Sequence, residues 1–144
     1  MENLINNIQK HHNEEEIRDL GMTKEVFNWR EELEFTNEEI HFYTTLLSSN
    51  LIERTRSNCE DANYLFQQLQ DLKDSNESHI ETCIRFQNSL ENMKECDDVQ
   101  CDNQYLKEHL YLKEMFEKHF MEFRRIKASA FRYVKAGIDS YLLK

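Results

Sequence analysis

Val26-Phe-Asn-Trp29-Arg-Glu-Glu-Leu33-Glu-Phe-Thr36-Asn-Glu-Glu-Ile40-His-Phe-Tyr43-Thr-Thr-Leu-Leu47 is the stretch that decides the fold. Val26, Trp29, Leu33, Thr36, Ile40, Tyr43 and Leu47 recur at alternating steps of three and four. That spacing keeps a seam on one side of an α-helix, and no β-strand can share it. Phe27, Phe35, Phe42 and Leu46 flank the seam, among acidic residues such as Glu31, Glu34, Glu38 and Glu39. The pattern predicts a helix over 23–48. Gly21 suits a helix C-terminus and Thr23 an N-cap, so a break is expected near 21–22. Before it, Leu4, Ile5, Ile8, Ile17 and Leu20 give a marginal helix over 2–20.

Downstream, Ser48-Ser49-Asn50 reads as a turn, and Asn50 with Glu53 has capping-box spacing. A helix over 51–96 is expected, on the stripe Cys59, Ala62, Leu65, Phe66, Leu69, Leu72, Ile80, Cys83, Phe86, Leu90 and Met93. The polar run 73–79 interrupts the stripe and offers a break near 74–78. The phase survives it, however, with Asn76 the one polar residue on the seam, which favours a single helix. Glu95 to Asn103 is the next turn, and 101–143 is helical throughout. The expected architecture is all-α, a single domain over 1–144. It is an elongated antiparallel bundle, a coiled-coil-like hairpin of three to four long helices.

Composition agrees. Among 144 residues there is no proline and only two glycines, Gly21 and Gly137, too little turn chemistry for a sandwich or a βαβ fold. The formal net charge of -10 repels phosphate backbones and anionic membranes, so nucleic-acid and membrane partners are disfavoured. Residues 1–112 carry 24 acidic and 10 basic groups, and 113–144 carry 4 acidic and 8 basic groups. No apolar run reaches the ~20 residues of a bilayer span, and the N-terminus lacks the pattern of a secretory signal. A cytoplasmic protein with reduced cysteines is the expectation.

Few residues point to chemistry. Glu38 and His41 form the Glu-x-x-His pair that dimetal bundles use twice, together with two further glutamates. No second pair occurs, so a solvated pair outweighs a metal site, and no cofactor is expected. Cys96 and Cys101 lack the close Cys-x-x-Cys spacing common in zinc sites. They read as exposed thiols in a turn, which a disulfide locks under oxidation. Cys59 and Cys83 sit on apolar stripes and read as small core residues. His109 and His119 read as partly buried flank residues. Two isolated glycines cannot build a phosphate loop, and no catalytic triad stands out from chance.

Residues 118–135 are the most distinctive segment. Lys118, Arg124, Arg125, Lys127, Arg132 and Lys135 face a single acid, Glu122, and Phe116, Phe120, Phe123, Phe131 and Tyr133 interleave with them. Such a helix binds acidic partner helices, membranes or nucleic acid. The preferred reading is internal, with helix 23–48 supplying the acids. For an external partner, the residues to carry contact are Phe116, Phe120, Phe123, Arg124, Arg125, Lys127 and Arg132. Phe35, Phe42, Phe131 and Tyr141 exceed the aromatic surface that a small bundle needs. The leading expectation is a non-enzymatic protein-interaction or scaffold module that binds a protein partner or itself. The alternatives are a metal-binding bundle, or a membrane or nucleic-acid contact through 118–135.

Overall fold

In the computed structural model the described residues are 2–49, 59–93, 95–96 and 98–142, with side chains described from Arg18 onward except those of Cys59 and Tyr141. They form three helices and no strand: α1 (Glu2–Leu47), α2 (Cys59–Met93) and α3 (Val99–Leu142). With 46, 35 and 44 residues, the helices are rods of roughly 70, 50 and 65 Å. The described residues make an all-α bundle of three helices.

The direction of each helix follows from its cross-contacts. Cys83 meets the backbone of Val26, and Asn76 that of Leu33, so α2 runs antiparallel to α1. Asn76 also meets His119, and Phe86 lies beside His109, so α3 runs antiparallel to α2 and parallel to α1. Two ion pairs fix the offset between the parallel helices. Glu25 meets Lys113, and Glu39 meets Lys127, each pair 88 positions apart.

The expected break at Gly21 is absent, because α1 runs through it. A helical glycine costs about 1 kcal/mol, and the burial of Met22 and Val26 just beyond outweighs that. Thr23 does not cap. Its hydroxyl donates to the Asp19 carbonyl at 2.9 Å, one turn back within the same helix. The candidate break at 74–78 is also helical. The expected helix start at 51 and the Asn50 cap lie outside the described residues.

The turn after α2 is shorter than the expected one. The Cys96 amide donates to the Met93 carbonyl. The Asp98 carboxylate accepts the Cys101 amide at 2.7 Å, which makes Asp98 the N-cap of α3. Cys96 and Cys101 are not free thiols. They are joined as a disulfide, with Cα atoms 5.6 Å apart, across this turn.

The core divides in two. One half joins Val26, Trp29 and Leu33 to Cys83, Phe86, Leu90, Leu112 and Phe116. The other joins Ile40 and Leu47 to Leu65, Leu69, Leu72, Phe123, Ile126, Ala130 and Val134. Between the halves lies a polar layer of Thr36, Asn76 and His119, all buried. Asn76 is fully enclosed. Its amide donates to the Leu33 carbonyl at 2.8 Å and to Asn37 Oδ1 at 2.7 Å.

Candidate interaction surface

The basic stretch of α3 separates in space into two faces. Phe116, Phe120 and Phe123 belong to the core, with at most 6% of their surface exposed. They are therefore not available to a partner, contrary to the sequence reading. Their spacing of four and three is a seam spacing, and the bundle uses it as one. The cations occupy the remaining faces. Arg125 pairs with Glu122 at 2.6 Å on its own helix, and Lys118 with Glu114 at 3.6 Å. Lys127 reaches Glu39 on α1 at 2.9 Å and lies over the Phe123 ring. Arg124, Arg132 and Lys135 are exposed.

On α1, Leu20, Phe27, Phe35 and Phe42 are each at least half exposed. At ~100° per residue they fall within an arc of about 80°, over roughly 33 Å of helix. Glu31, Glu34 and Glu38 are exposed along the same side. On α3, Leu110, Met121 and Phe131 are also at least half exposed. They share an arc of about 80° with Arg124 and Lys135.

The Glu39–Lys127 pair shows how the two rows adjoin. Residues three and four positions apart are neighbours on a helix surface. Phe35 and Phe42 therefore flank Glu39 on α1, and Arg124 and Phe131 flank Lys127 on α3. The bridge joins the two helices, with exposed Phe35 and Phe42 beside its α1 end and exposed Phe131 beside its α3 end. Sequence reading singled out Phe35, Phe42 and Phe131 as surplus aromatics. It set Phe27 beside the seam without counting it as surplus, and it did not single out Leu110 or Met121.

The other candidates are less organised. Glu38 and His41 are both exposed. Among the described residues, no group of three or more histidine, cysteine, aspartate or glutamate side chains is gathered to hold a metal. Nor is any helix of the described residues long and apolar enough to cross a membrane. His109 is buried, stacked on Trp29 with ring centroids 5.0 Å apart, and Glu25 Oε2 lies 3.5 Å from its Nε2. Burial lowers its pKa, Glu25 opposes that, and Lys113 adds to it.

His119 and His79 stand edge to face, 4.5 Å apart. They line an open cleft of about 450 Å³ between α2 and α3 with Tyr111, Glu114 and Lys118. Burial, and then the proximity of His79, push the His119 pKa down to about 4. A base that weak is poorly matched to proton transfer near neutral pH.

Comparisons with protein families, with curated proteins and with solved structures found nothing that matches this chain.

Proposed function

We propose that this chain is a non-enzymatic helical interaction module, which meets another polypeptide through the outer face of α1 and α3 around the Glu39–Lys127 pair. The observation that carries this reading is the placement of Phe35, Phe42 and Phe131. Each is more than half exposed, on two adjacent parallel helices. Single exposed apolar residues are ordinary on a protein surface, whereas contiguous rimmed patches mark binding sites. The rim here is charged, by Glu31, Glu34 and Glu38 on α1 and by Arg124, Arg132 and Lys135 on α3.

A nucleic-acid or membrane contact through 118–135 has less support. Three of the five aromatics that would stack on bases or enter lipid, Phe116, Phe120 and Phe123, are core residues, and Arg125 and Lys127 are paired within the molecule. A metal site at Glu38 and His41 has no third ligand at hand among the described residues.

Site-specific photocrosslinking in the native host tests the reading. A benzophenone side chain at Phe42 should give discrete polypeptide adducts, and the same group at exposed Lys73 on α2 should give none. Absence of adducts at position 42, or equal adducts at both positions, counts against it.

A further inference from the structure

We infer that the occupant of this surface is a second copy of the same chain, related by a two-fold axis parallel to the helices, so that α1 of each copy lies on α3 of the other. The inference rests on the reading of this face as a docking surface, and charge supplies the occupant. Over 31–38 the α1 side presents Glu31 and Glu38, with Glu34 already paired with Arg30 on its own helix, and over 124–135 the α3 side presents Arg124, Arg132 and Lys135 and no acid; all of these are exposed except the half-buried Arg30. One molecule therefore carries both halves of a complementary pair side by side. That is the self-complementarity an isologous dimer requires.

The register agrees. An axis parallel to the helices leaves each residue at its own height. The offset of 88 between α1 and α3 sets Phe35 level with Phe123, Glu38 level with Ile126 and Phe42 level with Ala130. Each is within a residue or two of an outward-facing α3 side chain. Phe35 of one copy thus arrives at Arg124 of the other, where a guanidinium can lie on the ring. Phe42 arrives at Phe131, and Glu38 at Arg124. The alternative two-fold axis, perpendicular to the helices, sets α1 on α1 and α3 on α3. It stacks the glutamate row on itself and the basic row on itself, and like charges in that position repel.

The area suffices. A face two helices wide, about 20 Å, and about 35 Å long covers roughly 700 Å² per copy, close to the ~800 Å² typical of a stable interface. The net charge of -10 on each copy opposes association over the whole surface. Salt screens that repulsion and the local attraction alike, so salt dependence alone does not report the contact.

Charge exchange does report it. Sedimentation velocity of the full chain, at concentrations up to about 200 µM, should show a reversible dimer of twice the chain mass. Glu38→Arg alone and Arg124→Glu alone should each weaken it at least tenfold. An equimolar mixture of the two variants should dimerise again, because in the mixed dimer both contacts are complementary. The E38R/R124E chain should likewise recover. Both residues are exposed, and far-UV melting curves establish that each variant is folded. A wild-type monomer at the highest concentration overturns the inference, as does a mixture that fails to recover. Tighter association of E38R alone overturns it too, since that is the behaviour of α1 stacked on α1. If the chain is monomeric, the adducts from position 42 show separately whether the same face takes a different polypeptide.

Discussion

His119 Nε2 lies 2.8 Å from Asn76 Oδ1, and both side chains are buried where α2 crosses α3. The Asn76 amide nitrogen already donates to Leu33 and Asn37, so its oxygen is the acceptor and His119 Nε2 carries the proton. One asparagine thereby joins all three helices at one height, between two apolar half-cores. Slipping any helix by a turn would strand these groups without partners, so the layer fixes the register. Asn76→Ala leaves the buried His119 N–H unsatisfied and should cost about 2 kcal/mol. Replacing both members, as N76L/H119L, removes the unmet groups together and should be neutral or stabilising. Urea denaturation measures both. A double variant weaker than N76A would contradict this account of the layer.

The burial of the same imidazole, with His79 beside it, makes stability depend on pH, with a definite sign. His119 has a pKa of about 4 in the folded chain against 6.5 for an unperturbed histidine. The unfolded chain therefore binds the proton more readily. The stability this residue gives is complete above pH 6.5 and is lost as the pH falls from 6.5 toward 4. The full loss is of the order of 3 kcal/mol. His79 and His109 are shifted in the same direction, each first by burial. Melting temperature should decline across this window, and His119→Gln, which keeps a donor but cannot titrate, should decline less steeply. Equal slopes for the two proteins would remove His119 from the explanation.

Gly21 offers a prediction where sequence reading and structure part. A break there predicts that alanine strains a left-handed cap. A continuous helix predicts that alanine is favourable, and a Cβ built on Gly21 meets nothing within 4 Å. Gly21→Ala should therefore stabilise the chain by about 1 kcal/mol, through helix propensity and reduced freedom of the unfolded chain. Thermal unfolding distinguishes the two, since destabilisation would restore the break.

That difference shows what a local pattern can and cannot reveal. The seam from Val26 to Leu47 was legible because periodicity is an intrachain property, and six of its seven residues are buried, with Tyr43 partly so. Asn76 was legible as the polar exception on the α2 stripe. Its partners were not, because Leu33, Asn37 and His119 become its neighbours only through the register of three helices. The interleaved aromatics and cations of 116–135 misled for a related reason. Residues adjacent in sequence point to different faces of a helix, so Phe116, Phe120 and Phe123 went inward while Arg124, Arg132 and Lys135 remained outside. The Asp98 cap was hidden among several acidic residues of one turn, any of which could have served.

Cys83 tests how tightly α1 and α2 close. Its side chain has no exposed surface, and its thiol lies 3.5 Å from the Val26 carbonyl. Burial pushes its pKa up to about 11, while the Arg30 charge lowers it and Glu34 raises it. At pH 8 the thiolate fraction is then on the order of one in a thousand, and only the thiolate attacks an alkylating agent. The native protein treated with iodoacetamide should carry no label on the peptide containing Cys83, whereas the urea-unfolded protein should carry it fully, as read by mass spectrometry. The labelling rate at intermediate urea should follow the unfolding equilibrium, because the reagent reaches the sulfur only when α2 leaves α1. Rapid labelling without denaturant, in protein whose far-UV spectrum is unchanged, would mean that these helices separate locally, and the half-core around Trp29 and Phe86 would then be far looser than its packing implies.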